Sequence, residues 1–155
     1  MKRIVCMAAA ALLAFALVQS TPPGSDAAKL LPVEAVRVRV DGSFVTVETD
    51  TGDSGVGGDL NAAIRDMKQR ASGDIFLETA NFLLLMPGAE QTLSDCMANF
   101  RPACALCMVK GDTEVCELVP FLRAHEPGLT LMEYRAGIRT IPILLAEEGS
   151  MYLVS

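Results

Sequence analysis

The clearest pattern in the chain is the strict alternation Val36-Arg37-Val38-Arg39-Val40. A period of two predicts a strand with one face buried. Asp41-Gly42 follows, a strong two-residue turn signal, and Phe44 to Thr49 alternates again as the returning strand. Asp50 to Gly58 holds four glycines and reads as a loop. After it the period changes. Leu60, Ala63, Ile64 and Met67 recur at helical spacing, with Arg65, Asp66, Lys68 and Gln69 on the other side and Asp59 placed to cap the helix. That helix is expected to stop near Ser72-Gly73.

Ile75 to Leu77 and Phe82 to Leu85 are short apolar runs separated by Glu78 to Asn81. They predict a buried strand at 81–86 with a bent or paired segment before it. A second helix carries Leu93, Cys96, Met97 and Phe100 and ends at Pro102. Cys104 to Val109 is a third buried strand, closed by Lys110-Gly111. Asp112 is expected to cap a third helix with Val115, Leu118, Val119 and Leu122 inward. Leu131 to Arg135 suggests one helical turn. Ile141 to Ala146 and Met151 to Val154 flank Glu147 to Ser150 as a closing hairpin.

The order is therefore β-β-α-β-α-β-α-β-β. Strands and helices that alternate in the middle imply parallel strands joined by crossovers, while the ends add antiparallel strands. The expected fold class is mixed α/β (α+β), a mixed β-sheet with three helices packed on it.

The first residues read differently. Lys2 and Arg3 precede an uninterrupted apolar run from Ile4 to Val18, and a polar stretch follows. A basic n-region, a short apolar h-region and small residues at Val18-Gln19-Ser20 or Asp26-Ala27-Ala28 fit an export signal. Residues 1–20 are thus expected to be a signal peptide or an uncleaved N-terminal anchor, 21–31 a linker, and 32–155 one globular domain. About 20 apolar residues is the usual transmembrane length, so the run is short for a permanent span. Cys6 lies inside the run, too early for a lipid attachment site.

Charge narrows the partners. The chain has 13 basic and 19 acidic residues, a net charge of −6. Without Lys2 and Arg3 the excess of acid rises to eight. Such a surface repels nucleic acid and anionic lipid heads. With no tryptophan and only two tyrosines, there is little to build a stacking platform for bases or sugars. The membrane enters only through the N-terminal segment, if that is kept.

Candidate chemistry is sparse. Gly52, Gly55, Gly57 and Gly58 lie between a strand and a helix, where phosphate loops occur. Their spacing is not G-x-G-x-x-G, and Asp50, Asp53 and Asp59 oppose an anion, so a flexible connection is expected. Asp50-Thr51-Gly52 matches an aspartic-protease signature, but that chemistry needs two carboxylates sharing a proton, and the downstream pattern is helical. His125, the only histidine, sits in a turn without a partner histidine. No catalytic residue, cofactor or metal site is expected.

Cys96, Cys104, Cys107 and Cys116 are the candidate disulfide or thiol residues. Cys104 and Cys107 have the C-x-x-C spacing of redox and zinc sites. On a strand, however, residues three apart face opposite ways, too far apart for a disulfide. Pairing of Cys107 with Cys116 or of Cys96 with Cys104, and free core thiols, all stay open. An exported thiol–disulfide redox protein using Cys104/Cys107 is the alternative function.

The stretch from Gly58 to Leu77, followed by Asn81 to Leu85, resembles the N-terminal domain of the C subunit of spore-germinant receptors, the GerAC-like family. Leu60, Ala63, Ile64, Arg65, Met67, Arg70, Phe76 and Phe82 to Leu85 carry the likeness. Cys104 to Gly111 and Thr113 to Leu122 look like its continuation, so it spans residues 33–124. The family's receptor subunits carry a lipid-attachment cysteine and two further domains that have no counterpart here, and a histidine common in the family would fall at about Thr79. The resemblance implies a single-domain, non-enzymatic relative. It would be exported or held on the outer side of the cytoplasmic membrane, with a protein partner in a membrane complex and a role in sporulation or germination.

Overall fold

The valines of β2 (Ala35–Asp41) and β3 (Phe44–Thr49) point to one face of an antiparallel pair, as their alternation requires. In the computed structural model, which describes residues 30–138, 140–147 and 150–154, this pair is one side of a larger sheet. The expected signal lies outside the described residues. The segment from Leu31 onward forms one compact unit.

The remaining strands are β1 (Leu30–Pro32), β4 (Ser54–Gly57), β5 (Asp74–Phe76), β6 (Phe82–Leu85), β7 (Ala105–Lys110), β8 (Ile143–Glu147) and β9 (Ser150–Val154). Seven of the nine described strands form one sheet in the order β4-β3-β2-β6-β7-β8-β9, and β1 pairs with β5 apart from it. Strands β2, β6, β7 and β8 run parallel. The flanks add antiparallel pairings, β3 with β2 and β4 with β3 on one side and β9 with β8 on the other. The mixed α/β class expected from the sequence is what the chain forms.

Four helices are described: α1 (Leu60–Arg70), α2 (Leu93–Asn99), α3 (Val115–Ala124) and α4 (Leu131–Ala136). Successive residues of a strand face opposite ways, and β6 shows it. Leu83 and Leu85 join the core built with α1, α2 and α4, while Phe82 and Leu84 join the core built with α3. Helices therefore cover both faces of the central strands. That explains why β6 is apolar throughout, where β2 alternates.

Several local expectations shift. The turn after β2 is Gly42-Ser43, because Asp41 still pairs with Phe44. Gly42 has φ 62°, which the first central residue of a primed hairpin turn requires. The glycine segment is not a flexible connection: Ser54–Gly57 is edge strand β4, packed against α1. A Cβ on Gly55 would sit 2.3 Å from the Ala63 carbonyl oxygen, and one on Gly57 would sit 2.4 Å from the Ala63 nitrogen. Two glycines two apart share one face of the strand, and here they let the helix backbone come close.

Asp59 caps α1 as expected, accepting the Ala62 N–H at 2.7 Å. Asp112 does not cap α3. The cap residue is Glu114, without a side-chain bond. The Arg37 guanidinium donates to the Thr113 carbonyl at 2.6 Å, the acceptor that an earlier helix start would have needed for the Glu117 N–H. Asp112 instead lies 3.8 Å from Arg39. The short α4 is held by a capping box: Thr130 Oγ1 accepts the Glu133 N–H, and the Glu133 carboxylate accepts the Thr130 N–H at 2.8 Å.

The connection from α3 to β8 changes sides of the sheet. Helix α3 lies in one core, whereas Leu129 and Leu131 lie in the other. Between them Thr130 bridges Ala105 at the start of β7. The Leu106 N–H donates to the Leu129 carbonyl at 2.7 Å, and the Leu131 N–H to the Cys104 carbonyl at 3.0 Å. The outer edge of β7 is thus shared. Its first half pairs with this crossing segment, and Met108 to Lys110 pair with Ile143 to Leu145 of β8.

Candidate functional site

The four described cysteines are free thiols. Cys104 belongs to the core on the α1 side of the sheet and Cys107 to the core on the α3 side, so β7 itself stands between them. Cys96 is buried on α2, with its sulfur 3.7 Å from Thr92 Oγ1. Burial pushes the thiols of Cys96, Cys104 and Cys107 up to about 12, which keeps them protonated and poorly nucleophilic. Cys116 alone is exposed, in the first turn of α3, with its sulfur 3.6 Å from the Glu114 carboxylate.

A polar groove of about 390 Å³ opens beside Cys116, lined among others by Arg37, Glu48, Asp50, Asp53 and Glu114. It lies where the start of α3 meets β2 and β3, whose Arg37 and Glu48 stay outside the apolar core that α3 builds with Ala35, β6 and β7. Most of its polar atoms are already engaged. The Arg37 Nε donates to Glu48 at 2.7 Å, and Asp50 Oδ1 accepts the N–H groups of both Glu34 and Ala35 at 3.0 and 3.1 Å. Thr51 donates to Asp53 at 2.9 Å, closing a tight loop with Thr49. The Asp50-Thr51-Gly52 motif is thus a structural loop whose carboxylate anchors the start of β2. Its acidic lining disfavours phosphate.

The segment from Glu78 to Asn81, between β5 and β6, offers no free strand edge. Leu77–Thr79 is a 3₁₀ turn. Thr79 Oγ1 accepts the Val33 N–H at 3.1 Å, and the Asn81 N–H donates to the Glu34 carbonyl at 2.7 Å. His125 stacks on Phe121, ring centroids 4.5 Å apart, at the end of α3.

The closing hairpin does present a surface. Leu144 and Ala146 of β8 enter the α3-side core, with Met151 and Leu153 of β9 packed against it. The alternate residues face the other way. The pairs Ile143–Val154 and Leu145–Tyr152 put four apolar side chains on one outer patch. Ile143 and Leu145 are half-buried, while Tyr152 is 61% and Val154 49% exposed. Strand β9 is also the last in the sheet. The alternation Met151 to Val154 gives the strand in the sequence. That no helix would cover this flank is legible only from the topology.

No match is found. Neither protein-family models, nor curated proteins, nor solved structures show a counterpart to this chain.

Proposed function

We propose that the chain is an exported, non-catalytic binding and assembly module that works by protein–protein contact in a membrane complex, with a role in sporulation or spore germination. The observation that carries the contact role is the outer patch of β8 and β9. Ile143, Leu145, Tyr152 and Val154 lie side by side outside both cores of the described residues. A contiguous exposed apolar patch is a typical contact surface. The basic and apolar N-terminal residues support export, and the likeness of residues 33–124 to a receptor C subunit supports the membrane complex.

The test is a photo-crosslinker in place of the exposed Val154 in the native host, together with deletion of the gene. The expected result is a crosslink to one integral membrane protein and a germination or sporulation defect that the wild-type gene restores. Normal spores and no crosslinked membrane protein would overturn the proposal.

A further inference from the structure

The two edges of the large sheet are built differently. At β4 the Val56 N–H is taken by the Asp66 carboxylate of α1 at 2.9 Å. At β9 no described residue pairs with the outer side of Ser150–Val154. Natural sheets guard such an edge with charge, proline or a bulge. Ser150 to Val154 contains no charge and no proline, although charged residues make up 21% of the chain, and its pairing with β8 runs without a bulge.

We infer that β9 pairs antiparallel with β9 of a second copy, joining two sheets into one across a two-fold axis. The inference rests on the reading of the β8–β9 flank as a contact surface and names its first occupant. The strand is self-complementary in this register. An axis at Tyr152 sets that ring against its own counterpart, Met151 against Leu153, and Ser150 against Val154, so each apolar residue of the centre meets an apolar residue. Cross-strand pairs of this kind are favourable. No charge opposes its like, which matters in a chain with a net charge of −6. A head-to-tail alternative, β9 against β4 of the next copy, would grow into an open fibre. The Asp66 bond at Val56 works against it, leaving the closed two-fold pairing. The outer patches of both copies then lie side by side, doubling the apolar surface left for a membrane partner.

The experiment uses the full chain in mild detergent, followed by sedimentation velocity over a range of concentrations. Wild-type protein is expected to show a concentration-dependent monomer–dimer equilibrium. Tyr152→Lys and Tyr152→Glu, at an exposed position, are each expected to be monomeric, and an equimolar mixture of the two to recover the dimer. In a Cys116→Ser background, Tyr152→Cys should form an intermolecular disulfide on mild oxidation. A wild-type monomer at every concentration overturns the inference. So does a dimer that both Tyr152 variants retain, which would place association elsewhere, the N-terminal segment included. A monomer that still crosslinks to its membrane protein through position 154 loses the dimer and keeps the proposed function. A dimer without that crosslink does the reverse.

Discussion

Asp66 accepts the Val56 backbone N–H at 2.9 Å, so a helix side chain supplies the hydrogen bond that a further strand would have made. The same carboxylate pairs with Arg70 one turn on, at 3.0 Å. Asp66→Ala removes the acceptor and frees the edge. The expected cost is about 1 kcal/mol, as for one partly exposed hydrogen bond, measured by urea denaturation. Hydrogen exchange at the Val56 amide should accelerate more than at the neighbouring strand β3.

Gly55 and Gly58 separate a glycine that packing demands from one that neither packing nor backbone conformation demands. A Cβ at Gly55 would meet the backbone of α1 at 2.3 Å, whereas nothing lies within 4 Å of one at Gly58. Gly55→Ala must push α1 off the sheet and is expected to cost about 1–3 kcal/mol or more, the range of overpacked cores. Gly58→Ala should change stability little. Thermal melts of both variants check the contrast, and equal effects would refute it.

The cysteines make a kinetic prediction. With native protein near neutral pH, Cys116 should be alkylated quickly. Cys96, Cys104 and Cys107 should react only when denaturant exposes them, because burial holds their thiols at about 12. Peptide mapping after timed labelling reads this directly. A native disulfide between Cys104 and Cys107 would contradict their separation by the sheet.

Glu34 gives a pH dependence with a definite sign. The hydrogen bond from Arg123 lowers its carboxyl below the ordinary range, against the opposing effect of burial, and ties the end of α3 to the start of β2. A carboxyl lowered by folding contributes stability above its unfolded value and loses it as pH falls through the folded one. Wild type is therefore expected to lose this contribution in acid, below the ordinary carboxylate range. Glu34→Gln should be less stable at neutral pH, with a gap that narrows as the pH drops. Denaturation midpoints from pH 7 to 3 test it, and a gap that widens in acid would be the wrong sign.

What the sequence reveals depends on how local the cause is. The β2–β3 hairpin, the Asp59 cap and the inward residues of α1 and α3 follow from periods of two and 3.6 within each segment. The opposite placement of Cys104 and Cys107 follows from the same period of two. Strand β4 is missed because Gly55 and Gly57 leave Val56 as its only apolar side chain. The signal lies in their spacing, which matters only once α1 is known to pack there. The start of α3 is misplaced because Arg37, 76 residues earlier, claims the Thr113 carbonyl. The exposed patch is likewise invisible locally, since Ile143 and Leu145 look like core residues until the helix positions are known.

The crossing of the chain at Leu129 to Leu131 has a consequence for how the fold comes apart. Because that segment occupies the first half of β7's outer edge, β8 is joined to the sheet over three residue pairs only, Met108–Ile143 to Lys110–Leu145. Within the hairpin, β8 and β9 share five. The hairpin is therefore bound to itself more firmly than to the rest of the sheet, and should open as a single cooperative unit. In native-state hydrogen exchange, the amides of β8 and β9 would be lost together and early, while β2 and β6 keep theirs until the whole domain unfolds. The surface offered for contact would then be the part of the fold that yields first, and whatever binds there would hold it closed.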